Sequence, residues 1–304
     1  MRKIIAISCI LLSALGVIAW RATSTPNQSR QYKGMRLEIH DLAEHGVFAY
    51  GPDSADFGRK LGALVAIPAD LTNDAPKYSV ILENRTPQRI TAIAVVWHFY
   101  PAQGAPIERS SSFSFISNPF FNDVSDSLIK AGEFYPLCQL ADGVGFGRAR
   151  MTELKSDAQA KQTLALLDAL IARSMRWSFD IDSVLFSNGV FVGPDRLGYV
   201  GATSARINAA RDILKEVAQK IDAGEPMSNV LAHANAYASI PEEALDAQYP
   251  DVRKRMRDPD YIYARIKNQT AKAVLARHRN FGGDAGLIAW VRQNSQQQIQ
   301  LVRQ

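Results

Sequence analysis

The chain has 304 residues, 47% of them apolar and 21% charged, enough to bury real cores and to exclude bulk disorder. Length alone admits two modest domains. A formal net charge of +5 is too small to argue for nucleic acid as a partner.

The chain opens with "MRKIIAISCILLSALGVIAW". Arg2 and Lys3 form a positive start, Ile4 to Trp20 an uncharged apolar run, and Val17-Ile18-Ala19 offers small residues where a signal peptidase reads. Residues 1–19 are therefore expected to be a signal peptide, with an uncleaved inner-membrane anchor as the alternative. Cys9 ends "AISC", but a lipoprotein box would not be followed by so much further apolar chain. Loss of Cys9 leaves Cys138 as the one cysteine, so no internal disulfide forms. Export without a disulfide framework points to a bacterial periplasmic or secreted location. Cys138 lies in the apolar run "EFYPLCQL" and reads as a packed thiol.

Residues 20–34 are polar, aperiodic and linker-like. From 35 to 200 the dominant period is two, the mark of strands. "MRLEIHDL", "LGALVAI", "KYSVILEN", "RITAIAVVWHFY", "RSSSFSFI" and "IKAGEFYPL" are the strand candidates. In "RITAIAVVWHFY", Ile93, Val95, Trp97 and Phe99 share one face, and Ala92, Ala94 and Val96 make the other apolar too. That strand should be central. "RSSSFSFI", with Phe113 and Phe115 between serines, should be an outer one. Leu164, Leu167, Leu170 and Ile171 have helical spacing and mark a helix inserted before the last strands.

"RWSFDIDSVLFSNGVFVGPD" follows. Trp177, Phe179 and Ile181 alternate with Ser178, Asp180 and Asp182; Val184 and Phe186 continue the strand past a bulge. Ser187-Asn188-Gly189 reads as a hairpin turn, and Val190 and Val192 as the returning strand. Asp180, Asp182, Asn188 and Asp195 supply oxygens for calcium, but no D-x-D-x-D-G loop holds them, so the stretch reads as a turn.

The run "VILENRTPQRITAIAVVWHFY" resembles the V-x-L-x-N-x-S/T-x-x-x-I-x-x-x-x-V-x-W/F strand pair of Ig-like domains in uncharacterised exported bacterial proteins. "FSNGVFVGPD" is similar to an F-x-D-G-x-F-x-G-P-D run of the same group, with Asn188 in place of its Asp. The resemblance implies export and an Ig-like antiparallel β-sandwich. It transfers no catalytic residue or ligand.

From 201 to 304 the period becomes 3.6. Ile207, Ala210, Leu214, Val217 and Ile221 form one stripe, with Thr203 or Ser204 as its cap and Gly224 as its end. Ser228 is the expected cap of the next helix, and Ser239 with Glu242 has capping-box spacing. Two longer helices flank Gly282-Gly283, and no strand pattern is present. The fold class is thus α+β: an Ig-like sandwich over 35–200 with an inserted helix, then a helical region over 201–304.

Motifs for chemistry are sparse. Gly143, Gly145 and Gly147 lack the strand–helix context of a phosphate loop and read as a flexible loop. His40 and His45 are five apart, where a zinc helix places histidines four apart. His98 reads as a packed or partly exposed neutral histidine. No G-x-S-x-G elbow occurs. "PDVRKRMRDPDYIYARIK" gathers Arg253, Lys254, Arg255 and Arg257 beside Tyr261 and Tyr263, the candidate partner contacts. The expectation is a non-catalytic envelope binding module without a cofactor. Its partner would be an envelope protein or an anionic surface met through the basic C-terminal helices. Nucleic acid is not expected, and a membrane is expected only if the N-terminal segment stays uncleaved. Alternatives are an envelope-directed hydrolase, which would group His40, His45 or His98 with carboxylates, and a membrane-anchored structural component.

Overall fold

The computed structural model describes residues 36–114, 128–141, 158–251, 255, 257–295 and 301–304. The protein is mixed α+β, and two sheets share one apolar core. The larger sheet has six strands. Its centre is β4 (Ile90–Pro101), antiparallel to the edge strand β5 (Ile107–Ser114) on one side and to β7 (Ser174–Phe186) on the other. Beyond β7 lie β1 (Leu37–His40), paired in parallel, and β8 (Val190–Val192), paired antiparallel. The smaller sheet is antiparallel, with β3 (Ser79–Asn84) between β2 (Val47–Tyr50) and β6 (Phe134–Cys138).

β4 is apolar on both faces because both are covered. Ile93, Val95, Trp97 and Phe99 enter the main core with Val80 and Leu82 of the smaller sheet. There Trp97 stacks on Trp177 at 5.7 Å and meets Phe179 edge-on at 5.0 Å. On the other face Ala92 and Ala94 pack with Leu185, Phe191 and Tyr199. The connection "NRTPQR" is tight as expected: Asn84 Oδ1 accepts from Thr86 N at 3.0 Å, and Asn84 Nδ2 donates to Gln88 O at 2.7 Å. The strands it joins lie in different sheets.

"LGALVAI" corrects the expectation of a strand. Phe57–Leu64 is a helix, α1, and the chain becomes extended at Val65. Phe57 and Leu61, four apart, are the side chains it buries, so helical spacing governs. The inserted helix is α2 (Ala158–Arg173), with Leu167 and Ile171 buried, Leu164 and Leu170 packed beside them, and Leu166 exposed. Asp168 of α2 accepts a hydrogen bond from Tyr78.

The helical region comprises α3 (Tyr199–Asp222), α4 (Met227–Ala238), α5 (Glu242–Gln248), α6 (Pro259–Asn280) and α7 (Gly283–Ser295). Ile213, Leu214, Val217, Val230, Ala234, Val274, Leu287 and Val291 form its core. α3 begins earlier than its expected caps: Gly198 is the N-cap, and Thr203 is buried inside the helix. Pro226 and Pro241, not Ser228 and Ser239, cap α4 and α5. Proline supplies the extended entry backbone there, while Ser239 ends α4 and donates to Ala236 O. The absence of a late strand is also corrected. β9 (Val302–Arg303) pairs in parallel with β8, and two residues are too short to show a period.

Candidate functional site

The hairpin β7–β8 is built around Asp182. Ala94 pairs with Ser183 and Val95 with Ile181, so Asp182 is the extra residue of a bulge. Its buried carboxylate accepts from Arg196 N at 2.8 Å and Leu197 N at 3.0 Å. Asp195 N donates to Asp182 O at 2.9 Å, and Asp195 Oδ1 accepts from Val200 N at 3.1 Å, at the start of α3. Burial pushes the Asp195 carboxyl up, against the backbone N–H groups of Val200 and Tyr199 that favour its charged form. Asn188 Oδ1 accepts from Val190 N at 3.1 Å. These oxygens serve the backbone of the hairpin, and Asp180 turns elsewhere. Among the described residues no three histidine, cysteine or acidic side chains form a group able to hold a metal ion.

Asp180 lies on the face of the large sheet opposite the tryptophans. The parallel register puts His40 directly across from it, and the antiparallel register puts His98 between Ser178 and Glu108. One carboxylate thereby meets three side chains. Asp180 Oδ1 lies 2.7 Å from His40 Nδ1; Oδ2 lies 3.3 Å from His98 Nε2 and accepts from Ser178 Oγ at 3.0 Å. His98 Nδ1 is 3.6 Å from Glu108. His40 is 57% exposed and Asp180 13%, so the pair opens to solvent through the histidine. Beside it, Arg176 stacks over Tyr100 at 4.1 Å and lies 3.6 Å from Glu38.

An Nδ1–H donated to Asp180 would leave the His40 Nε2 lone pair for a substrate proton, the arrangement that a general base requires. The serine of the cluster bonds the carboxylate and not a histidine nitrogen, so these residues form no serine–histidine–aspartate relay. His45 stands apart beside Glu44 at 3.8 Å. Asp41 accepts from Ala49 N.

The basic run divides. Arg253 and Lys254 lie outside the described residues. Arg255 turns inward, 15% exposed, with Nη1 2.6 Å from Asp246 and Nε donating to Tyr249 O at 2.9 Å. Tyr261 is buried and donates to Asp246 Oδ1 at 2.8 Å; Tyr263 donates to Asp212 Oδ2 at 2.6 Å. Arg257 is exposed. Two exposed cations outside that run are Lys272 and Arg279, seven apart on one face of α6, about 10 Å along its axis. Sequence reading passed them over because it followed the local charge cluster and not the helical repeat.

Comparison of the chain with protein-family models, with curated proteins and with solved structures finds no match. The functional reading therefore rests on the sequence and the geometry of this chain.

Two further clusters tie elements together. Glu216 of α3 meets His233 of α4 at 3.0 Å and Lys267 of α6 at 3.2 Å, with Lys267 4.6 Å above the Tyr237 ring. Arg85 bridges Glu83 at 2.8 Å and the Tyr50 hydroxyl at 2.7 Å. Cys138 is half-buried, its Sγ 3.9 Å from Ala75 O. Gly143, Gly145 and Gly147 lie outside the described residues, as do Cys9 and the segments 1–19 and 20–34. Among the described residues no helix is long and apolar enough to cross a membrane.

Proposed function

We propose that this chain is an exported protein of the bacterial envelope that acts by binding, with the helical region as its contact element and the sheets as its scaffold. The carrying observation is the division of its cations. Arg255 is held by Asp246, whereas Lys272 and Arg279 lie at the surface of a region in which basic residues outnumber acidic ones. Such a surface attracts an acidic protein or an anionic lipid headgroup. The positive, then apolar, start of the sequence supports export, with the periplasm as the destination or the inner membrane if the segment is retained.

We read the two sheets as an Ig-like sandwich. Their shared core and mainly antiparallel pairing support this; the parallel pairs β1–β7 and β8–β9 and the helices α1 and α2 are additions to that plan.

The test is cross-linking in intact cells, comparing the native chain with a Lys272→Glu, Arg279→Glu double variant. Loss of the captured partner in the variant is the expected result; equal capture by both forms would refute the role of the helical region. A second reading, hydrolysis of envelope material, is favoured by one observation, the His40–Asp180 pair with its exposed imidazole. Turnover of purified peptidoglycan or p-nitrophenyl acetate that disappears in His40→Gln would establish it. Turnover that survives the substitution, or none in the native protein, would remove it.

A further inference from the structure

The turn joining α6 to α7 presents an aromatic ring to solvent. Phe281 is 57% exposed, among the largest apolar exposures of the described residues. Chance does not hold it there. Phe281 N donates to Arg277 O at 3.0 Å, closing the last turn of α6. Gly282 and Gly283 follow with φ of 87° and 58°, backbone that only glycine takes without strain. Gly286 N then donates to Gly282 O at 3.2 Å. A Cβ on Gly286 would stand 1.9 Å from the Phe281 carbonyl oxygen, so α7 seats against the Phe281 backbone through a bare glycine. Three glycines thus fix the turn with the ring at its apex.

From 272 to 284 three lysine or arginine side chains stand against one acid, Asp284, which is itself 64% exposed. The Arg277 guanidinium lies 4.6 Å from the Phe281 ring centroid, and Arg279 is exposed two residues before it. Lys272 continues the same face of α6. The nearest acid in sequence is Asp284, which His278 holds at 2.8 Å. The turn projects an exposed aromatic ring with cations beside it. It matches the boundary of an anionic bilayer, where aromatic rings sit at the headgroup level and arginine and lysine meet phosphate.

We propose that the α6–α7 turn is a peripheral anchor that seats Phe281 in an anionic lipid surface, with Arg277, Arg279 and Lys272 on the headgroups. The proposal rests on the reading of the helical region as the contact element and names the class of its partner. The chain isolated from cells is sedimented with vesicles of phosphatidylcholine alone and with vesicles containing one-third phosphatidylglycerol. The quantity read is the ratio of the two partition coefficients, compared between the native chain and variants that share its N-terminal segment. A ratio well above one that falls with added salt is expected. Arg279→Glu should lower it about 5-fold or more. Phe281→Ala should lower partitioning to the mixed vesicles roughly 5-fold. Both side chains are exposed, so thermal midpoints within a degree or two of the native value certify the fold. A ratio of one for the native chain, or an unchanged ratio in Arg279→Glu with unchanged partitioning in Phe281→Ala, overturns the anchor. If the vesicles fail while a photo-cross-linker at position 279 captures an acidic protein, the anchor is wrong and the binding role stands. Failure of both overturns both.

Discussion

The carbonyl oxygen of Asp182 lies 2.7 Å from the place where Gly193 would carry a Cβ, and Gly193 itself has a φ of 103°. The bulge and the returning loop meet backbone to backbone at that point. The approach lets the Asp182 carboxylate reach two N–H groups of the loop. Gly193→Ala meets both a steric and a conformational penalty and should destabilise the protein by about 2–4 kcal/mol. Asp182→Ala strands two backbone donors and should cost about 1–3 kcal/mol. Urea midpoints of the two variants measure this, and a loss under about 0.5 kcal/mol in either would contradict the role given to the hairpin.

Asp180 and His40 form a pair with unequal stakes. Removing His40 exposes a carboxylate that water can reach, so His40→Ala should cost about 0–1 kcal/mol. Removing Asp180 leaves the buried Ser178 hydroxyl without its acceptor and His98 without the carboxylate 3.3 Å from its Nε2, and Asp180→Ala should cost about 1–3 kcal/mol. A double-mutant cycle with His98→Ala should give a coupling of about 0.5 kcal/mol or more, because the two touch directly.

Arg255 tests the division of the basic run. Its side chain holds Asp246 and two backbone carbonyls, so Arg255→Ala should cost about 1–3 kcal/mol and lower the thermal midpoint. Lys272→Ala and Arg279→Ala should stay within about 0.5 kcal/mol of the native chain. Calorimetry on the three variants separates the cation that builds the fold from those that face outward.

The Glu216 network fixes a pH dependence. Burial works to raise the Glu216 carboxyl, but hydrogen bonds from His233 and Lys267 and the Lys267 charge outweigh it and hold the group below its ordinary value. A depressed carboxyl contributes stability above its unfolded pKa of about 4.3 and loses it as pH falls through the folded value. Lys267 is the mirror case: burial works to lower it, and Glu216 outweighs burial, so its contribution holds below about pH 10.4 and fades above. Tyr135, pushed up to about 12 by burial, adds to the alkaline loss, since its neutral phenol is favoured in the fold. The urea midpoint of the native chain should therefore fall more steeply below about pH 4.3 than that of Glu216→Gln. Parallel acid limbs would contradict the network.

The hydrophobic period reads out the scaffold well. β4 and β7 follow from alternation, the turn at Ser187–Gly189 from its residue types, and the α3 stripe from its spacing, because each is a local pattern answered by a local environment. α1 escapes that reading since Gly58 and Gly62 weaken the helical signal while Val65 and Ile67 imitate a strand. The His40–Asp180 contact escapes it for a different reason. The two residues are 140 positions apart and meet through a parallel pairing that no local spacing encodes. The inward turn of Arg255 depends on Asp246 in another helix, whereas Lys272 and Arg279 were within reach of a helical-wheel reading.

Photo-cross-linking in intact cells tests the binding role most directly. A photoreactive residue is placed at Lys272, at Arg279 and, as the contrasting site, at Met175, which is 73% exposed on the strand scaffold. Adducts from positions 272 and 279 but not from 175 are the expected result. Adducts confined to position 175, or none from the helical region, would contradict the assignment of the contact to the helices.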